Sequence, residues 1–300
     1  MRETARIDRI RKLAAAGPTN KLMVRGIGDD CAIVRPRSRH DLVFTSDFLL
    51  EGRHFTLDTH KADDVGHKAL ARSLSDLAAM GASPVFCLVS LGVPSALGQK
   101  WVERFYKGLL GLAASERVTL AGGDLAQFDR VIVDVTCCGE TPRGKALLRS
   151  GAKAGDRIYV TGQLGSSANG LATGRGRNFR RHLRPQPRVE VGLALCRLRV
   201  SACMDISDGL ALDLHRLCLE SGLSAELNDD IPVARGASLE DALRGGEDYE
   251  LLFTAPSRIR IPSELAGVSV AAIGTLSAGD PGELWFRNQP LAPGGFDHFA

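Results

Sequence analysis

Apolar positions along this chain change period several times, and each change predicts an element. The opening MRETARIDRIRKLAAAG carries its apolar residues at helical spacing and reads as an amphipathic helix. A glycine turn, GIGDD at residues 26–30, leads through CAIV to DLVFTSDFLLEGRHF, where a short apolar strand ends in Thr45-Ser46-Asp47. Residues 63–80 return to the helical period: Val65, Ala69, Leu70, Leu74 and Leu77 share a face, and Gly81 closes the helix as a C-cap residue would. Residues 77–99 hold no charge and have the length of a membrane span. Gly81, Pro84, Gly92 and Pro94 interrupt them, so they read as a helix end, a turn, a buried strand at 85–91 and a loop. A helix over 99–115, a strand at 118–121 ending in Gly122-Gly123-Asp124 and a strand at 131–137 follow.

The second half begins near Arg149. Residues 146–156, ALLRSGAKAGD after Lys145, suggest a strand and a glycine turn, and 157–161 a further strand. That strand leads into GQLGSSANG at 162–170, a Gly/Ser loop before a helix. Asp208-Gly209 opens a helix with Leu210, Leu214 and Leu217 on one side, and GGEDYELLF at 245–253 couples a glycine turn and two acids to a buried strand. Strands alternating with helices predict an α/β chain. The boundary falls near 140–149, giving an N-terminal α/β domain over 1–140 and a C-terminal one over 149–300.

Charge and cysteine content narrow the picture. Lys and Arg number 38 against 35 Asp and Glu, a net charge of +3, which signals neither nucleic acid nor membrane as a partner. The seven cysteines form no CxxC pair and sit mostly in apolar runs, which fits buried thiols in a reducing cytoplasm. The N-terminus lacks an apolar core of signal-peptide length. Residues 174–188 carry six arginines; a solvated surface loop explains them better than an RNA-binding patch, because Phe179 alone offers an aromatic for stacking.

The candidate chemistry lies in the acids. Asp29 and Asp30 in the glycine turn and Asp47 at the strand end crowd carboxylates, and two like charges about 4 Å apart repel by roughly 4 kcal/mol at an effective dielectric near 20. Such groups protonate or hold a cation, and oxygen-only donors select Mg²⁺ before Zn²⁺. The same residues also fit a polar turn before an ordinary strand. Asp76 sits near the C-terminal end of its helix, where the dipole disfavours an anion, so a metal role competes with a solvated acid. Asp205 and Ser207 precede the helix opened by Asp208; capping needs only one of the three. GETPRGKA at 139–146 has the G-x-x-x-x-G-K spacing of a phosphate loop, but Ala146 stands where Ser or Thr should bind Mg²⁺.

Taken in order, GIGDDCA, TSDFLLEGRHF, SLSDLAAMGASP, AGGD, RSGAKAGD, DISDGL, GGEDYEL and the closing GFDHF resemble the thiamine-monophosphate kinases of the aminoimidazole-ribonucleotide synthetase superfamily, over nearly the whole chain. The resemblance implies two α/β domains with mixed sheets flanked by helices, a homodimer paired through the N-terminal sheet, and an active site between the domains. It implies direct transfer of phosphate from ATP to thiamine monophosphate, giving thiamine diphosphate and ADP. Asp30, Thr45, Ser46, Asp47, Asp76, Asp124, Asp205 and Asp208 would hold several Mg²⁺ ions; Tyr106, Gly123, Asp124, Arg149 and Ser207 would contact ATP; His54, Glu247 and Phe296 would contact the thiamine phosphate. No covalent or general-base residue is expected, since a phosphate acceptor is already an anion. Within the superfamily, selenophosphate synthetase would bring a Cys or selenocysteine near an N-terminal glycine loop, and nothing before Cys31 answers to that.

Overall fold

The computed structural model of the chain describes residues 3–27 and 31–296. It divides into two compact units, one built from residues up to Leu77 and from Ala82 to Gly144, the other from Ala78 to Gly81 and from Lys145 onward.

The first unit contains α1 (Glu3–Ala15), β1 (Met23–Arg25), β2 (Ile33–Val34), β3 (His40–Leu50), α2 (Ala62–Ala79), β4 (Ser83–Val93), α3 (Gly98–Glu116), β5 (Thr119–Gln127) and β6 (Ile132–Pro142). Four strands form a sheet in the order β3-β6-β4-β5, with β6 antiparallel to both neighbours and β4 parallel to β5. The apolar face of α2 is fully buried: Val65, Ala69, Leu70, Leu74 and Leu77 are each at most 1% exposed. On β3 the side chains alternate, so Thr45, Asp47 and Leu49 share one face and Phe44, Ser46 and Phe48 the other. The second face is open: Phe44 is 61% and Phe48 59% exposed.

Two strand ends differ from the sequence expectation. β3 does not stop at Asp47 but runs to Leu50, paired with β6 throughout. β5 does not stop at Gly122-Gly123-Asp124 but continues to Gln127 beside β4. The glycines permit this rather than end it. Gly123 has φ +145°, and a Cβ there would lie 1.9 Å from the Val89 carbonyl oxygen, so only glycine lets the strand pass so close to its neighbour.

The second unit contains β7 (Arg157–Thr161), α4 (Ser166–Thr173), α5 (Gly176–Leu183), α6 (Val189–Leu198), β8 (Ala202–Ile206), α7 (Leu210–Ser221), β9 (Ser224–Leu227), α8 (Leu239–Arg244), β10 (Glu250–Ala255), β11 (Glu264–Leu265), β12 (Val268–Ser277), β13 (Leu284–Phe286) and β14 (Gln289–Pro290). Its sheet runs β14-β13-β9-β12-β7-β10-β8, with β11 added to β12 and one parallel pair, β13 with β9. Ile158, Val160, Met204, Ile206 and Leu252 of the sheet pack with Leu210, Leu214 and Leu217 of α7 in one core. Residues 145–156 form turns and extended chain, not the strand expected there, and no helix follows GETPRGKA; its Lys145 is exposed. The resemblance to a phosphate loop is therefore spacing alone. Residues 174–188 are not a solvated loop: 176–183 are helical and two of the arginines turn inward.

All seven cysteines are free thiols. Cys87, Cys137 and Cys138 in the first unit and Cys203 and Cys218 in the second are buried, and burial makes them weaker acids, pushing the Cys87 and Cys218 thiols up to about 12 and Cys138 to about 11.

Candidate active site

In the first unit the alternation of β3 decides which expected ligands meet. Thr45 donates its hydroxyl to Asp76 of α2, and Asp47 lies 4.0 Å from Arg72 on the same helix. The Asp47 carboxyl is pushed up to about 6, first by burial and then by the charge of Asp76, against the opposing pull of Arg72 and a hydrogen bond from Ser73. Asp76 is placed there by its helix, two turns beyond the buried Ala69 and Leu70 face. Ser46 projects from the opposite face, where its hydroxyl donates to Asp134 at 2.8 Å and lies 3.1 Å from the Thr136 hydroxyl. Its side chain is thus separated from those of Asp47 and Asp76; only its backbone lies beside theirs. Asp124, exposed on β5, stands opposite Ser90 of β4, and its charge helps hold the buried Tyr106 phenol in its protonated form, after burial and Cys87.

His54 is 8% exposed at the turn after β3. The Leu50 N–H donates to its Nδ1 at 2.9 Å, and its own carbonyl accepts from the fully buried Lys68 at 3.3 Å. Asp30 lies outside the described residues. Among the described residues no three His, Cys, Asp or Glu groups converge on one point. The donors that do meet, two carboxylates and a hydroxyl, are hard oxygens and fit Mg²⁺ rather than a softer ion.

In the second unit the expected residues are gathered by backbone bonds. Asp205 is buried in β8, and Ser207 and Asp208 follow at its end. The Glu247 N–H donates to the Ser207 carbonyl at 2.7 Å, Tyr249 to Ile206 at 2.9 Å, and Phe296 to Asp208 at 2.9 Å. Three short segments far apart in sequence are therefore laced side by side. Glu247 and Tyr249 adopt φ of +64° and +50°, a conformation that costs a side-chain-bearing residue about 1 kcal/mol or more and holds GGEDYE in its turn. Arg149 is exposed; the Ser221 hydroxyl donates to its carbonyl at 2.7 Å.

Four residues organise this region; the sequence reading passed over Asp213, Arg216 and His182, and met Asp248 only as one of two acids in a glycine turn. Asp213, fully buried in the first turn of α7, accepts the N–H groups of Ser207, Asp208 and Gly209 at 3.0, 3.0 and 3.2 Å. Burial pushes its carboxyl up to about 6. Arg216 donates to Asp208 at 2.5 Å and to Asp213 at 2.9 Å. Asp248 accepts from Gly165 N–H at 2.5 Å, Ser167 N–H at 3.0 Å and the Ser166 hydroxyl at 3.1 Å at the start of α4. His182 lies 2.9 Å from the Ser167 hydroxyl and 3.5 Å from Glu247. Of the three passed over, the acid in the first turn of α7 was the readable signal.

Comparison with known proteins agrees across the chain. Residues 28–141 match the N-terminal domain, and 153–285 the C-terminal domain, of AIR synthase related proteins. Thiamine-monophosphate kinase of Salmonella typhimurium is 40% identical over 302 residues, 92% of each chain, and that of Bacillus subtilis 39% over 249 residues, 76% of this chain and 77% of its own. Among solved structures, thiamine-monophosphate kinase from Stenotrophomonas maltophilia superimposes with a TM-score of 0.86 at 35% identity, covering 97% of this chain and 98% of its own. AaThiL complexed with AMPPCP and TMP gives 0.80 at 32% identity, covering 100% and 99%. Hydrogenase maturation protein HypE in complex with ATP shares the fold, with a TM-score of 0.78 at 16% identity and coverage of 99% and 96%.

Proposed function

We infer the chemistry from one premise: this chain belongs to the thiamine-monophosphate kinases, within the AIR synthase related family. It is an ATP-dependent kinase that phosphorylates thiamine monophosphate, giving thiamine diphosphate and ADP. The observation in this chain that carries the reading is the crowding of Asp47 and Asp76 beside the Thr45 hydroxyl.

Thr45, Asp47 and Asp76 would hold Mg²⁺ in the first unit, with Asp30, Asp124 and the backbone of Ser46 as further oxygen donors; Asp205 and Asp208 would do so in the second. Bound there, Mg²⁺ would supply charge neutralisation between the two phosphate-bearing substrates and help to orient them. Arg72 offsets part of the Asp47 charge, and Arg216 fixes the Asp208 carboxylate while Asp213 holds the backbone beneath it. Tyr106, Gly123, Arg149 and Ser207 are the proposed ATP contacts. The thiamine phosphate would meet His54, Glu247 and Phe296, whose ring can stack on the cationic thiazolium for roughly 0.5–2 kcal/mol. The open sheet face bearing Phe44 and Phe48 is the surface a second copy would cover in a homodimer. No described helix is long and apolar enough to cross a membrane, and the free thiols accord with a cytoplasmic setting.

An assay with ATP and Mg²⁺ tests the reading. Thiamine monophosphate should be converted and free thiamine left untouched, because a phosphate acceptor is already an anion while an alcohol must lose its proton, and no base is assigned to take it. Rapid phosphorylation of free thiamine, lost in His54→Gln, would overturn it in favour of base catalysis.

A further inference from the structure

Two sequence features left unused by the kinase reaction meet in the second unit: the Gly/Ser loop after β7 and the arginine-rich stretch through α5. They line a cavity of about 980 Å³ together with the loop at residues 234–236 and the start of β12. Its lining carries five arginines, Arg175, Arg177, Arg181, Arg188 and Arg235, against one acid, Glu250. Glu250 is fully buried and already bound on both oxygens. Arg188 grips it from Nε at 2.7 Å and Nη2 at 2.6 Å, Arg181 donates to Oε1, and Thr161 donates to Oε2 at 2.7 Å. One carboxylate therefore serves two arginines, and the other three guanidinium groups add to an uncompensated positive field. Burial lowers the proton affinity of Arg181, and Arg188 and Arg177 add to this against the pull of Glu250 and Asp248.

The walls are built rather than loose. Gly162, at φ +61°, brings the loop so close that a Cβ would lie 2.2 Å from the Glu250 Oε1. Asn169 donates to the Gly236 carbonyl at 2.7 Å, and Asn178 donates to Asn169 at 2.7 Å and to the Arg235 carbonyl at 3.1 Å. Those bonds fix the backbone that carries Arg235 at the rim. The volume falls at the upper end of small-molecule sites, about 300–1,000 Å³. No aromatic side chain lines it, so the lining offers charge and amides but nothing on which a base could stack.

We propose that this cavity binds a small polyanion carrying two or more phosphate groups, through the forked donors of Arg177, Arg181 and Arg235. The concave shape and the absence of aromatics favour a compact phosphate ligand over a nucleic-acid strand. Binding here needs no metal, unlike the acid-lined kinase residues, so the two are separable by chelation.

The test is calorimetric titration of the full-length protein with inorganic pyrophosphate in EDTA at low salt. One site per chain is expected, weakening as salt rises. Arg177→Glu with Arg235→Glu should reduce affinity by at least about tenfold, while the melting temperature and the Mg²⁺-dependent kinase rate stay at their wild-type values. Arg177→Gln with Arg235→Gln should give an intermediate loss, which a misfolded variant would not. A parallel titration with ADP separates sources: tighter binding than pyrophosphate assigns an ester-borne diphosphate, weaker binding a free one, provided the same variant loses it. Equal affinity in wild type and variant, or no heat from pyrophosphate, overturns the proposal. So does a short RNA strand that binds more tightly than pyrophosphate and is lost in the same variant.

Discussion

The Nδ1 of His54 accepts the Leu50 N–H, so a neutral ring carries its proton on Nε2 and presents a donor, not a base. That suits a residue that hydrogen-bonds a phosphate. Asp47 makes the complementary case. Its folded-state acidity lies near 6 against 3.8 for a free side chain, so in metal-free protein its stabilising contribution is complete below pH 4 and is lost as the pH climbs to about 6. Above that, a two-unit shift corresponds to about 3 kcal/mol of strain at most. Asp47→Asn should therefore melt no lower than wild type at pH 8 in EDTA, while its turnover at saturating Mg²⁺ falls by roughly two orders of magnitude or more. Thermal melts and steady-state rates on the same preparation check both halves. A variant with near wild-type turnover would remove Asp47 from the metal cluster.

At the scale of elements, α4 begins on a buried acid instead of a surface cap. Asp248 takes two N–H groups and a hydroxyl of the first turn, yet burial outweighs them and raises its carboxyl to about 6. The fold thus holds a proton that the unfolded chain has released between pH 4 and 6, and stability should fall by up to about 3 kcal/mol across that interval. Urea titrations at pH 4.5 and 7 should show a smaller fall in Asp248→Asn than in wild type; equal falls would mean that the acid is ionised throughout. What the sequence disclosed follows the range of the interaction. The buried face of α2 was legible because its apolar residues repeat locally, and the glycine-and-acid motifs were legible as a family pattern. The continuation of β3 and β5 was not, since an acid and a glycine pair read as a strand end until a partner strand is present. Nor was the inward turn of Arg181 and Arg188, whose counter-charge Glu250 lies 69 and 62 residues further along. Asp213 was visible only as one more acid in a helix; its three backbone partners arise from the turn it stabilises.

Across the whole molecule, the two units differ in what they leave uncovered. The first exposes two phenylalanines on a sheet face whose neighbouring polar groups Ser46, Asp134 and Thr136 are hydrogen-bonded among themselves. If a second copy covers that face, Phe48→Asp should shift the protein to a monomer in light scattering without unfolding it; an unchanged mass would place the dimer contact elsewhere. The buried thiols have a separate use. Five of the seven cysteines are sealed in core positions, three in one unit and two in the other, whereas Cys31 is exposed and Cys196 partly so. A disulfide reagent added to native protein should tag Cys31 and Cys196 at once, and the others only when their surroundings open. Mass spectrometry of the peptides would then time two clocks in one tube, Cys87, Cys137 and Cys138 for the first unit and Cys203 and Cys218 for the second. Synchronous tagging would mean that the units open together. Staggered tagging would name the half that gives way first, and adding ATP should slow whichever clock belongs to the half that grips it.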